Sequence, residues 1–108
     1  MDNGYVAVAA AANIAPGSCK SFAIAGVKLI LAHLADGFYA VEDRCSHAGS
    51  PLDTSSIYKG SQIVCPLHGA RFDLRTGAAK TAPAFRALKV FPVRISGGIV
   101  EVDMHKTA

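Results

Sequence analysis

Four side chains of metal-binding type fall in two close pairs, Cys45-Ser46-His47 and Cys65-Pro66-Leu67-His68, with seventeen residues between His47 and Cys65. Each pair offers one thiolate and one imidazole. The short spacing inside a pair lets both ligands converge from a single tight loop. Gly49 and Gly69 follow the histidines, where the backbone has to bend sharply and come close to a bound group. Zinc accepts two Cys and two His, but its finger signatures group the cysteines together and the histidines together. The alternation here suits a two-iron cluster better, with Cys45 and Cys65 on one iron and His47 and His68 on the other. Each loop then supplies one ligand to each iron. A structural zinc module is the competing reading of the same four residues.

The surrounding sequence resembles the Rieske family. Cys45–Leu52 and Cys65–Asp73 look like its two cluster-binding loops, and Gly37–Val41 and Asp73–Gly77 look like the segments beside them. Thr81-Ala82-Pro83-Ala84 is similar to the proline loop that covers the cluster from a third side, and Val90–Val102 to the final strands. The resemblance implies one Rieske-type [2Fe–2S] cluster per chain, held by Cys45, His47, Cys65 and His68. It also implies an all-β fold: a Rieske-like antiparallel β-sandwich, one domain over residues 1–108, with a small cluster-binding subdomain at about 43–84.

High-potential members of that family carry a disulfide between the loops, and Ser and Tyr hydroxyls that donate to the cluster. The corresponding positions here are Ser50 and Leu67 for the bridge, and Ala70 and Phe72 for the hydroxyls. Donors to the sulfurs favour the electron-rich reduced state, so their loss places the expected potential at the low end, about −150 mV. No second His/His/carboxylate set for a mononuclear iron is evident in these residues, and none is expected after Ala108. The resemblance therefore implies a soluble electron carrier and not an enzyme. Its partners would be a flavin-containing NAD(P)H-dependent ferredoxin reductase and a terminal Rieske oxygenase for aromatic-ring hydroxylation. A small subunit of a larger reductase, of the kind acting on nitrite, is the alternative on the same fold. Leu52, Leu67, Pro83 and Phe85 are the expected apolar collar around the histidine-side edge of the cluster.

The rest of the composition fits one compact unit. The chain has 108 residues, 51% of them apolar, and a net charge of +3 from scattered Lys and Arg, a pattern that argues against nucleic acid. No apolar run approaches the roughly 18 residues a membrane span needs. Met1-Asp2-Asn3 lacks the basic start of an export signal, so a cytoplasmic monomer is the expectation. Arg71, Arg75, Lys80, Arg86 and Lys89 gather in sequence around the second loop and the proline loop, either as solvated charges or facing an acidic partner.

Short strands must position the two pairs. Tyr5–Ala9 alternates, Cys19–Ile24 and Val27–His33 flank the turn Ala25-Gly26, and Phe38–Glu42 follows Asp36-Gly37. Asp43–Ser55 and Pro66–Ala70 read as loops. Phe91, Val93 and Ile95, then Val100, Val102 and Met104 across Gly97-Gly98, predict a hairpin with one buried face. Cys19 reads as a packed side chain, His33 as surface or partly packed, and His105 as tail.

Overall fold

The computed structural model describes residues 4–43, 52–65, 69–80 and 87–104. Within them the regular structure is nearly all strand, with one 3-10 turn at Ala11–Asn13.

The middle sheet starts from a hairpin. Strands β2 (Cys19–Ile24) and β3 (Val27–Leu34) pair antiparallel, with Ile24 opposite Val27. The two-residue loop between them places Ala25 at φ 52° and Gly26 at φ 80°, the pair of positive values that a tight hairpin favours. β4 (Gly37–Glu42) returns along β3, and β8 (Val90–Phe91) pairs with the far side of β4, so the order is β2-β3-β4-β8. A terminal sheet, ordered β1-β10-β9, joins β1 (Tyr5–Ala10), β10 (Ile99–Asp103) and β9 (Val93–Ser96). A small third sheet, β5 (Asp53–Tyr58), β6 (Gln62–Val64) and β7 (Arg71–Asp73), is inserted between β4 and β8.

Residue alternation in the middle sheet builds two cores on its two faces. Ile30, Ala32 and Leu34 of β3, with Val41 of β4 and Val90 of β8, pack against Leu52, Ile63, Phe72 and Leu74 of the small-sheet side. Leu29 and Leu31, with Ala40 and Phe91, pack instead against Val100 and Val102 of the terminal sheet and against Ile14. Strand β3 is thus buried on both faces, which is why Leu29-Ile30-Leu31-Ala32 reads as an unbroken apolar run. The antiparallel, layered all-β architecture agrees with the expected fold class.

Two sequence expectations need correction. The loop expected over Asp43–Ser55 is shorter, because β5 begins at Asp53 opposite Val64. The segment Asp53-Thr54-Ser55-Ser56 has loop-like composition, and main-chain pairing with β6 overrides it. Ile95 does not share the buried face of its hairpin: it is 49% exposed, whereas Val100 across from it is fully buried. Strand β9 is a sheet edge, and Ile95 sits beside its turn end.

Candidate metal centre

Cys65 directly follows β6 and extends the β6–β7 ladder by one step. Its N–H donates to the Ala70 carbonyl at 2.8 Å, and its own carbonyl accepts from the Gly69 N–H at 2.9 Å. Gly69 stands at φ 71°, the left-handed conformation that lets the chain close this neck. The segment 66–68, with His68, is carried between those anchors. Cys65 is fully buried in one core cluster with Ala70, Phe72 and Leu52.

The first pair is rooted at the end of β4. Asp43 donates its N–H to the Lys28 carbonyl at 3.0 Å, and its Oδ1 accepts the Leu52 N–H at 2.9 Å. Cys45 and His47 lie between these anchors. Cys45, His47 and His68 fall outside the described residues; of the four sequence-predicted ligands, Cys65 is the one placed directly.

A third segment, 81–86, includes Pro83 and is anchored beside the second. Lys80 N–H donates to the Arg71 carbonyl at 2.8 Å, and on the return side Leu88 N–H donates to the Gly77 carbonyl at 2.8 Å. Gly77 stands at φ 78°, and an added Cβ would meet the Leu88 carbonyl oxygen at 2.4 Å and Val90 Cγ2 at 2.8 Å. Leu88 N–H and Lys89 N–H are both taken up at this return, the latter by Glu42 Oε1 at 3.1 Å. Leu52, Cys65, Ala70 and Leu88, which flank the three segments, belong to one buried cluster. Each of the three segments thus has at least one residue beside it in the same buried cluster.

The residues present suit a buried thiolate-bound group. Cys65 opens into a loop at an apolar floor, and Ala70 and Phe72 place no hydroxyl at the two positions singled out in the sequence. Leu52 is only 6% exposed and packs into the floor with Cys65. The other expected collar members, Leu67, Pro83 and Phe85, lie outside the described residues, as do Ser50, Arg86 and His105. Cys19 is a packed core residue whose Sγ donates to the Thr54 carbonyl at 3.6 Å. His33 is half-buried, stacked on Phe38 with centroids 4.0 Å apart, and its Nδ1 lies 2.8 Å from the Ile14 carbonyl.

Of the basic residues near the second loop, Arg75 and Arg71 have partners within the chain. Arg75 forms a two-pronged ion pair with Asp36, through Nε at 3.0 Å and Nη2 at 3.1 Å, and Tyr39 OH donates to the same carboxylate. The Arg75 guanidinium, helped by the Tyr39 hydroxyl, holds the Asp36 carboxyl below its ordinary value against desolvation. Arg71 lies over the Tyr58 ring at 4.6 Å. Lys80 and Lys89 are exposed. Asp73 accepts the Arg75 N–H at 2.7 Å and shapes the turn after β7. Sequence reasoning missed the anchoring roles of Glu42, Asp43 and Gly77. The adjacent acids at a strand end were the available signal, but the N–H groups they receive are supplied by the fold.

An all-β scaffold with a buried cysteine at the end of β6 carries the described part of the candidate centre. The chain belongs to the Rieske [2Fe–2S] domain family, whose model matches residues 4–92. The prosthetic group of that family is the [2Fe–2S] cluster, and the described part of the site fits it.

Among curated relatives, the naphthalene 1,2-dioxygenase system ferredoxin component of Pseudomonas aeruginosa is 31% identical over 104 residues, covering 96% of this chain and 99% of that protein. The 3-phenylpropionate/cinnamic acid dioxygenase ferredoxin subunit of Shigella flexneri serotype 5b (strain 8401) is 39% identical over 67 residues. That match spans 62% of this chain and 63% of the subunit, under two thirds of its length. Among solved structures, a chain in the complex of reduced oxygenase and oxidized ferredoxin in carbazole 1,9a-dioxygenase superposes with a TM-score of 0.85 at 33% identity, over 93% of each chain. Among the described residues, no helix is long and apolar enough to cross a membrane.

Proposed function

We propose that the chain is a low-potential electron carrier of an aromatic-ring-hydroxylating dioxygenase system, in which Cys45, His47, Cys65 and His68 hold one [2Fe–2S] cluster. One observation carries this reading: the end-to-end similarity to a ferredoxin component of such a system, with Cys65 buried at the neck of the second loop. The oxygenase–ferredoxin complex among the structural relatives supports a terminal oxygenase as the electron acceptor. A flavin-dependent reductase is the matching donor, and the catalysis belongs to these partners. The chain acts as one domain, with residues of about 43–84 as its cluster-binding part.

When bound, the cluster supplies a site that gains and loses one electron. The protein's own residues keep the site in one place. Ladder bonds fix the neck of the second loop, Asp43 ties the ends of the first, and Gly77 with Glu42 fixes the return from the third. Apolar residues exclude water from the Cys65 side. Ala70 and Phe72 withhold hydroxyl donors, which keeps the potential at the low end of the range, about −150 mV.

The test is purification with adequate iron, followed by metal analysis and visible spectroscopy. Two irons per chain and a Rieske-type spectrum are expected, with colour lost in His47→Ala and His68→Ala. Colourless protein carrying zinc and no iron overturns the reading, as does an unchanged spectrum in either histidine variant. A measured potential above zero removes the low-potential assignment. Electron delivery to an oxygenase is checked by reconstituted turnover with a reductase.

A further inference from the structure

Strand β4 ends at Glu42 and is followed directly by Asp43, and each carboxylate accepts a backbone N–H from a residue at the far side of a chain excursion. Asp43 Oδ1 takes the Leu52 N–H at 2.9 Å, nine residues on. Glu42 Oε1 takes the Lys89 N–H at 3.1 Å, just after the return of the third segment. Both acids are themselves fixed by the middle sheet, since Asp43 N–H donates to the Lys28 carbonyl and Glu42 N–H to the Lys89 carbonyl, each at 3.0 Å. Their side chains therefore extend a rigid strand into the loop region.

We propose that Asp43 is a positioning residue of the metal centre: by holding Leu52, it fixes the span of the loop that presents Cys45 and His47. This rests on the ligand set given above. A group bridged between two loops stays bound only while both loops keep their spacing. The second loop is closed by backbone bonds between Cys65 and residues 69–70. At the neck of the first, a half-buried carboxylate takes up the N–H, and an ionised acceptor makes a bond roughly twice as strong as a neutral one. Leu52 then enters the same apolar floor as Cys65, so the bond also sets where the first loop meets the second.

The experiment compares Asp43→Asn, which keeps an oxygen acceptor, with Asp43→Leu, which has similar size and none. Glu101→Gln, which weakens the ion pair to Arg94 in the terminal sheet, is the control. Each protein is loaded with its cluster, and the loss of visible absorbance is followed under a chelator. The electron paramagnetic resonance spectrum of the reduced form is recorded alongside. Asp43→Leu is expected to release the cluster about tenfold faster, with shifted or broadened resonances, whereas Asp43→Asn stays within about threefold of the parent. The control keeps the parental rate and spectrum. Equal behaviour of the Asn and Leu variants overturns the proposal. Hydrogen exchange of the loaded parent gives a check that needs no variant: the Leu52 amide is protected, and rapid exchange there overturns the proposal too. A parent that binds no iron–sulfur cluster sinks the ligand set. A loaded parent whose cluster is indifferent to Asp43 sinks only the positioning role.

Discussion

The two faces of the middle sheet are built to different standards. On one face Leu29, Leu31, Phe91, Val100 and Val102 form a purely apolar core beneath a terminal sheet whose paired strands β1 and β10 run six and five residues. On the other, the small sheet has two three-residue strands, and its core includes Cys65, Cys19 and Ala70. The first face is held by burial and a long ladder. The second combines short strands with three loop necks, and on the proposed ligand set its order would depend in part on the bound cluster. The longer-laddered half would then serve as the frame for the half that holds the cluster.

Substitutions in the two cores test that difference most strongly. Leu31→Ala and Phe72→Ala should each cost about 3–5 kcal/mol in denaturant unfolding, since both side chains are fully buried. Phe72→Ala should also lose its cluster readily, whereas Leu31→Ala should keep the parental visible spectrum wherever it is folded. Equal loss of colour in the two would break the comparison.

Removal of the cluster comes next. Stripping the iron with a chelator should raise amide exchange at Ile63 and Phe72 by about tenfold or more, and leave Val100 and Val102 nearly as protected as before. Uniform deprotection of both faces would show that they open as one unit.

Gly77→Ala tests the same side without touching a ligand. The new Cβ must displace the Leu88 carbonyl and Val90, and the backbone must hold a left-handed conformation. A loss of about 2–3 kcal/mol is expected, read from chemical denaturation. An effect below about 0.5 kcal/mol would mean that this return relaxes easily.

The smallest effect concerns acid. Asp36 on the β3–β4 turn and Arg75 after β7 join the middle sheet to the small sheet at the surface. The Asp36 carboxyl is lowered from 3.8, so its contribution is present above that value and fades as pH falls through the lower folded one. Asp36→Asn should flatten the dependence of stability on pH below about pH 4 by a small amount, with no change near neutrality. An unchanged slope would mean the pair contributes nothing.

The sequence revealed one half more fully than the other, and the reason is physical. Alternation and turn chemistry marked β2, β3, β4, β9 and β10, because burial on defined faces writes itself into residue order. Cys65 was found through its spacing from His68 and its likeness to the other Cys-His pair. Strand β5 escaped notice because its first four residues are polar and its existence depends on β6. The exposure of Ile95 depends on where an edge strand ends relative to its cover. Asp43, Glu42 and Gly77 were invisible as anchors, since each acts on a backbone group that only tertiary folding brings near. Arg75 looked like a candidate docking charge until Asp36, thirty-nine residues away in sequence, was found on it.

The pairing of β1 with β10 has a consequence for the order of events when the chain is made. Tyr5 lies opposite Asp103, so the terminal sheet cannot close until the chain has been synthesised through Asp103. The β2–β3–β4 meander and the β5–β6–β7 meander need only neighbours close in sequence, and contacts of that kind form early. A nascent chain should therefore have the roots of its metal site assembled while Leu29 and Leu31 still lack the cover of Val100 and Val102. Iron loading before β10 is made is open to such a protein, and the later hairpin of β9 and β10 would act as the latch that seals the fold.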